Sequence, residues 1–243
     1  MSFIKVGMLK HLVKSSIRGL GFDLRRYHPA NSEAALLSSH GVNLVFDVGA
    51  NIGQFGQLLR EGGYRGRIVS FEPLSVARKL LLAASRKDPL WEVAPCAAIG
   101  SDDGEIEIHV SGNWMSSSVL DMVDAHTKAA PESCYVGNER VPLRRLDSIA
   151  ADYLRPDSVA FLKIDTQGYE DRVLQGATGL LNRCVGLQLE LSLVSLYEGQ
   201  RLFDDLIEQV QTSDFELWSI SPVFVDPQSG RLLQVDATFF RGS

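Results

Sequence analysis

Val45-Phe46-Asp47-Val48-Gly49-Ala50-Asn51-Ile52-Gly53-Gln54-Phe55-Gly56 is the stretch that decides the fold. With Leu44 before it, its opening is an apolar run short enough for a buried parallel strand. The run meets Asp47, and glycines at 49, 53 and 56 follow as the chain turns into a helix. About twenty-five residues on, a second apolar run, Ile68-Val69-Ser70-Phe71, ends in Glu72. A βαβ unit whose second strand closes on a carboxylate is how α/β folds hold a nucleoside, because the carboxylate accepts hydrogen bonds from ribose hydroxyls.

The glycine spacing narrows the ligand. A pyrophosphate-binding G-x-G-x-x-G starting at Gly49 needs a glycine at 51, where Asn51 stands. Asp47 places a negative charge beside the loop, which suits a cationic ligand and repels a pyrophosphate. S-adenosylmethionine has a ribose, an amino group, a sulfonium and no phosphate, so the expectation is a methyltransferase. The competing reading of the loop is a tight strand-to-helix turn with no ligand.

The 243 residues suit one α/β domain with appendages. A hydrophobic share of 45% and a charged share of 22% are ordinary for a globular chain. No run approaches the roughly 18 apolar residues of a membrane span. Cys96, Cys134 and Cys184 are odd in number and far apart, which indicates neither a disulfide framework nor a zinc site. Lys5, Lys10 and Lys14 interrupt the apolar positions at the N-terminus, so no secretory signal is read there and a cytoplasmic location is expected. The net charge is −6, yet Lys5, Lys10, Lys14, Arg18, Arg25 and Arg26 face only Asp23 within residues 1–28. Ile4, Met8, Leu12 and Leu20 share one face of a helix there. Two readings stand: peripheral contact with a membrane surface, or a helix laid over the domain beside the cleft. The acidic remainder argues against a nucleic-acid substrate.

Residues 1–40 are thus expected to be a basic helical extension and 41–243 the main domain. A helix over about 53–62 with a Gly62-Gly63 C-cap precedes strand two, and Ser75 is the expected N-cap of a helix to about 86. Trp91–Ala94 is strand three. The stretch from about 100 to 150 departs from βα alternation. Residues 105–110 alternate as a half-buried strand, residues 141–146 suggest another, and Ser111–Val136 gives little signal, so an insertion with a small antiparallel element is expected. Regular alternation resumes with Val159–Ile164 ending in Asp165, a helix from Gly168 to about 182, a strand over 185–191 carrying Glu190, and a helix over about 200–211. Strands over 215–225 and 232–240, joined through Asp226-Pro227-Gln228-Ser229-Gly230, end the chain on a hairpin. Together these predict a mostly parallel sheet with an antiparallel last strand. Asp47, Glu72, Asp165 and Glu190 fall at the carboxyl ends of strands, where such sheets bind ligands.

FDVGANIGQFG, FEP at 71–73, AAIG at 97–100, Ser116-Ser117-Ser118, Leu146-Asp147, LKIDTQGYE at 162–170 and VLQGA at 173–177 together resemble the FkbM family of S-adenosylmethionine-dependent methyltransferases. The resemblance runs from about residue 43 to 240. It implies a Rossmann-like class I fold with a seven-stranded sheet. It also implies O-methylation of hydroxyls on sugars of glycolipids, glycans or natural products, or on macrolides. The competing classes are N-methylation and a non-catalytic cofactor-binding module of the same fold. Against N-methylation, IDTQG lacks the Asn/Asp-Pro-Pro-aromatic signature many amine methyltransferases carry at that strand end.

For the cofactor side, Glu72 is expected to hold the ribose. Asp47, with the backbone from Gly49 through Ala50 and Asn51 to Gly53, is expected to hold the methionine part. Pro73 follows Glu72, Ala97 and Ala98 border the adenine by family analogy, and Phe55 packs either on the cofactor or in the core. For the reaction, a hydroxyl acceptor must lose a proton. Asp165 is the first candidate base, with Glu190 sharing the site, and a general base contributes roughly 10²–10⁴-fold. A divalent metal such as Mg²⁺ held by the two carboxylates is the less favoured alternative. Asp165 has a structural alternative as a helix cap, Lys163 is expected to pair with Asp165 or Glu170, Glu170 to favour its helix dipole, and His109 to be solvated. Trp114 and Ser117 in a polar loop, and His126 in the unreadable insertion, are the candidate acceptor contacts, for a small-molecule or glycoside acceptor.

Overall fold

The computed structural model describes residues 32–242. The basic N-terminal helix, with both its membrane-contact and its domain-covering readings, falls on residues outside these.

Eight helices and ten strands are named here in chain order: α1 Glu33–Ser39, β1 Leu44–Val48, α2 Gln54–Glu61, β2 Arg67–Phe71, α3 Ser75–Ser85, β3 Trp91–Val93, β4 Ala98–Ile99, β5 Gly104–Ser111, α4 Asp124–Ala129, β6 Tyr135–Arg144, α5 Leu146–Ile149, β7 Ala160–Ile164, α6 Glu170–Gln175, α7 Thr178–Leu181, β8 Cys184–Ser192, α8 Phe203–Gln211, β9 Phe215–Val225 and β10 Leu232–Arg241. Seven strands form one sheet in the order β3-β2-β1-β7-β8-β10-β9. All pairs are parallel except those of β10, which runs antiparallel to both β8 and β9. The order reverses direction between β1 and β7, and that switch point is where an open α/β sheet leaves a crevice for ligands.

β1 and β7 are buried on both faces, as a central parallel strand must be. Side chains of successive residues alternate between the faces. Phe46, Val48, Leu162, Ile164, Leu187 and Leu189 pack with Leu146, Val173, Leu174, Leu180, Leu206 and Val210 of α5 to α8. Val45, Ile68, Phe161 and Phe240 pack on the other side with Ala34 and Leu37 of α1 and Leu59 of α2. The stretch Glu33–Ser39, placed in the extension by sequence, therefore belongs to the body of the domain.

The helix read from Gly168 to about 182 is two helices. Gly176 breaks it, because its backbone lies against Gly100, and a Cβ there would be 1.9 Å from the Gly100 carbonyl oxygen. Asp147 caps the second piece by accepting from the N–H groups of Gly179 and Leu180, both at 2.8 Å. Ser75 is not an N-cap: Leu74 holds that position, and the Glu139 carboxylate accepts from the Ser75 N–H at 3.1 Å. The insertion carries a three-stranded sheet, β4-β6-β5. Only the β5–β6 pair is antiparallel, because β4 joins β6 in parallel. His109 is not free in solvent: it is 2.9 Å from Asn138, 3.4 Å from Asp121, and stacks on Tyr135.

Candidate active site

Three residues with positive φ turn the chain from β1 into α2: Gly49 at 75°, Asn51 at 49° and Gly53 at 94°. Gly49 is required for a second reason. A Cβ there would sit 1.8 Å from the Asp165 carbonyl oxygen, so the loop after β1 presses directly on the end of β7. The N–H groups of Gly49 and Ala50 both donate to the Phe71 carbonyl, at 3.1 and 3.0 Å, which ties the loop to the end of β2. Gly53 serves packing: a Cβ there would meet Leu81 and the Trp91 ring at 3.0–3.1 Å.

Over these strand ends lies a cavity of about 620 Å³. It brings together most of the expected residues. Gly49, Ala50, Asn51, Phe55, Glu72, Pro73, Ala97 and Ala98 line one part, Asp165 and Glu190 the floor, and Trp114, Ser117 and His126 the remainder. Gly53 and Asp47 do not line it. Asp47 is fully buried beneath the loop. Its Oδ2 accepts from Ser70 Oγ at 2.9 Å, and its Oδ1 is 3.5 Å from Lys163 Nζ. Asp47 therefore cannot hold the methionine part by contact at the wall; its charge instead holds Lys163 against the underside of the loop. Burial pushes its carboxyl above the usual range against the pull of Lys163.

Glu72, the acid expected to hold the ribose, follows directly on the end of β2. Its Oε2 accepts from the Asn51 N–H and its Oε1 from the Leu74 N–H, both at 2.8 Å, so one face of the carboxylate is fixed by backbone. Each oxygen keeps a lone pair, and the side chain lines the cavity. Burial raises it to about 7, against the lowering effect of the two N–H donors. This carboxylate and the apolar side chains of Pro73, Ala97 and Ala98 in the same lining fit a nucleoside with no phosphate.

Lys163 Nζ lies 3.2 Å from Asp165 Oδ2, donates to the Gly49 carbonyl at 3.4 Å and stands 5.5 Å from the Phe55 ring centre. Burial disfavours its charge, but Asp165 and Asp47 raise it above the ordinary lysine range. The expected pair with Asp165 is present; the one with Glu170 is not. Nor does Asp165 cap the following helix. That turn is closed by Glu170, whose Oε1 accepts from the Thr166 N–H at 2.9 Å and the Gly168 N–H at 3.2 Å. Glu170 is buried, and burial raises it to about 7.

Glu190 is almost fully buried, and its carboxyl is raised well above the usual range by burial and then by Asp165, Glu170 and Asp236. Gln167, inside the 162–170 motif but given no role there, and Tyr197, Gln234 and Asp236, outside every motif, surround it. Gln167 Nε2 donates to Asp165 Oδ1 at 2.9 Å and to Glu190 Oε2 at 2.6 Å. Gln234 Nε2 donates to Glu190 Oε2 at 2.8 Å. Asp236, opposite Glu190 in the β8–β10 register, also lines the cavity and is raised to about 7 by burial and by Asp165. Only the antiparallel β8–β10 register puts Gln234 and Asp236 beside Glu190.

Trp114 has a φ of 60° at the tip of a loop tied by Ser117 Oγ, which donates to the Trp114 carbonyl at 2.9 Å. Ser117 Oγ also accepts from the Ser111 N–H at 3.0 Å, so its hydroxyl anchors the loop. His126 sits on α4, buried between the rings of Tyr197 and Phe224, with Nδ1 lacking a partner. Burial lowers it to about 4, so it is a neutral imidazole at pH 7. Among the described residues no group of three or more His, Cys, Asp or Glu side chains is disposed to hold a metal ion, and no helix is long and apolar enough to cross a membrane.

The sequence pattern of the Methyltransferase FkbM domain matches residues 47–217. The chain belongs to the FkbM family of methyltransferases. The matched segment of this FkbM domain runs from Asp47 through β9's Leu217 and so includes Glu72, Asp165 and Glu190. The AMB antimetabolite synthetase AmbE of Pseudomonas aeruginosa is 31% identical over 163 residues, covering 55% of this chain and 8% of that protein. The FkbM domain thus spans less than a tenth of the curated relative it matches. Among solved structures, a putative tRNA (m1A22) methyltransferase of Streptococcus pneumoniae, in complex with S-adenosyl-L-methionine, is 14% identical with a TM-score of 0.48, covering 86% of this chain and 72% of its own. A 1,6-didemethyltoxoflavin-N1-methyltransferase of Burkholderia thailandensis, with S-adenosylhomocysteine bound, is 12% identical with a TM-score of 0.44, covering 89% and 79%. Family membership is carried by the sequence match alone.

Proposed function

We propose that this FkbM-family enzyme is an S-adenosylmethionine-dependent O-methyltransferase acting on a hydroxyl of a sugar or glycosylated small molecule. The observation that carries the reading is the carboxylate pair Asp165 and Glu190, lying on the floor of the same cavity that Glu72 and the Gly49–Asn51 loop line. When bound, S-adenosylmethionine supplies a methyl group on a sulfonium.

The chain's own residues have three tasks. Glu72 accepts the ribose hydroxyls on the lone pairs its backbone donors leave free. Asp165, held by Lys163 and Gln167, and Glu190 face the acceptor. A neutral amine brings a ready lone pair, but a hydroxyl is a poor nucleophile until its proton is drawn away, so Glu190, a buried carboxylate with raised proton affinity, is of use chiefly to a hydroxyl. Positioning the acceptor there offsets roughly 7–11 kcal/mol of barrier. A polyhydroxyl acceptor suits a cavity whose lining also includes Asn113, Trp114, Ser116, Gln234 and the neutral His126. A natural-product acceptor is in keeping with the name of the relative AmbE.

The test is turnover of methyl-¹³C-labelled S-adenosylmethionine against a panel of glycosides and amines, with the product methyl read by NMR. An O-methyl carbon that is lost in Asp165→Asn supports the reading. An N-methyl product, or unchanged turnover in Asp165→Asn, sinks it.

A further inference from the structure

Two carboxylic acids crowded into one buried site ordinarily hold a single proton between them, because both cannot ionise at close range. Here that arrangement is blocked. The Gln167 amide nitrogen stands between the acids and spends its two hydrogens on Asp165 Oδ1 and Glu190 Oε2, at 2.9 and 2.6 Å. Neither of those oxygens can then carry a proton toward the other. The sense of the amide is fixed on both ends. Were it turned over, its oxygen would face two carboxylate oxygens. As it stands, that oxygen accepts from the Tyr197 hydroxyl at 2.8 Å.

The surrounding fold is built to hold this amide in place. Gln167 has a φ of 54°, in the left-handed region that side chains rarely adopt. Its carbonyl accepts from Ser118 Oγ at 2.7 Å, so the loop from the insertion pins the turn after β7. Tyr197 is itself fully buried, and its hydroxyl also lies 3.2 Å from the Ser116 carbonyl. Each acid meanwhile has a different second partner: Lys163 for Asp165 Oδ2, and Gln234 for the same Oε2 of Glu190 that Gln167 binds. The polar contacts given to Glu190 thus fall on one oxygen, and Oε1 is the oxygen able to take a proton.

We propose that Gln167 is a positioning residue that keeps Asp165 and Glu190 from sharing a proton, leaving Asp165 tied to Lys163 and Glu190 presenting Oε1 as the proton acceptor. The inference rests on reading the two acids as the reacting pair. It adds the device that divides their roles, which neither the strand-end pattern nor the family match assigns.

The groups that set the charge around Glu190 are Asp165 and Lys163 from β7 and its end, Glu170 from α6, Asp236 from β10 and Tyr197 from the segment after β8. Removing the Gln167 donors while leaving all of these in place isolates its part. The experiment is ¹³C NMR titration of protein labelled at the Asp and Glu carboxyl carbons. The two resonances are identified by their disappearance in Asp165→Asn and Glu190→Gln. Gln167→Met keeps the length and removes both donors. Glu190 then loses a hydrogen bond to its charged form, and its midpoint is expected to rise by about one to two pH units. Biphasic titration of the Glu190 resonance is also expected, as the two acids begin to exchange a proton. A merely structural role would lower the melting temperature and leave the Glu190 midpoint alone. A Glu190 midpoint unchanged in Gln167→Met, with S-adenosylhomocysteine affinity intact, overturns the proposal. Should Gln167→Met not fold, Tyr197→Phe decides. It removes only the hydroxyl that fixes the amide, and an upward shift in the Glu190 midpoint supports the proposal while an unchanged midpoint overturns it. The titration needs no acceptor and no turnover, so its outcome is separate from whether the O-methylation reading holds.

Discussion

Replacing Glu72 by Gln tests the cofactor side at a single atom. Both Glu72 oxygens accept backbone N–H groups at 2.8 Å, from Asn51 and Leu74. The amide can satisfy only one of them, and its NH₂ must face the other donor. That mismatch, together with loss of charge-assisted bonds to the ribose at about 1.5–3 kcal/mol each, weakens binding by about 3 kcal/mol, or roughly 100-fold in Kd. pH adds a second signature. Burial places Glu72 at about 7 in the free protein, and ribose hydroxyls donate to its ionised form. Wild-type affinity should therefore be flat above pH 8 and fall about tenfold by pH 6, where roughly a tenth of the carboxyl is ionised. In Glu72→Gln that slope disappears, so the gap between the two proteins shrinks from about 100-fold at pH 8 to about tenfold at pH 6. Calorimetric titration with S-adenosylhomocysteine across this range reads both effects. A wild-type Kd independent of pH, or a variant within threefold of wild type at pH 8, would refute the ribose assignment.

Glu190→Gln should lower kcat by about 10²–10⁴-fold while leaving S-adenosylhomocysteine affinity within a few fold; parallel loss of both would mark it as a structural residue. Gly49→Ala should cost more than about 3 kcal/mol, since the new Cβ would stand 1.8 Å from the Asp165 carbonyl oxygen at a φ of 75°; a melting temperature near wild type would mean the loop yields there. Glu72, Glu170 and Asp236 are raised to about 7 in the folded protein. The stability they contribute is full below their ordinary carboxylate range and lost as pH rises through about 7. The ligand-free protein should accordingly melt lower at pH 8 than at pH 5.5, and a rising melting temperature over that interval would contradict the burial of these acids.

The sheet was legible because each central strand is an apolar run closed by an acid or a glycine, a pattern that burial on both faces imposes on β1 and β7. The cofactor wall was legible for the same local reason, since the loop and Glu72 lie within one βαβ unit. Asp47 was misplaced because spacing alone cannot tell a side chain above the loop from one beneath it. The face it occupies is settled by Ser70 and Lys163, from neighbouring strands. The insertion hid its elements: α4 is six residues long, too short for a helical period to declare itself. Gln167 sits inside the 162–170 motif, yet its role, like those of Tyr197, Gln234 and Asp236, was not legible because it arises from tertiary packing. Gln167 holds two acids, one of them from β8, and the last two reach Glu190 only through the antiparallel register of β10.

The pairing of β1 with β7 also governs when this site comes into being. Leu44 to Val48 lie against Ala160 to Ile164, more than a hundred residues further along the chain. Closing so long a loop loses entropy before any contact repays it, so this pair belongs among the slow, non-local steps of folding. The β5–β6 ribbon, by contrast, joins residues 104–111 to 135–144 and is closer to a local contact. During synthesis the loop that would cradle the nucleoside is therefore made early but has no floor, since the carbonyl of Asp165 that Gly49 rests on and the lysine that Asp47 faces have yet to be translated. A nascent chain ending before β7 carries the glycine-rich motif and Glu72 but lacks the strand end on which that loop rests.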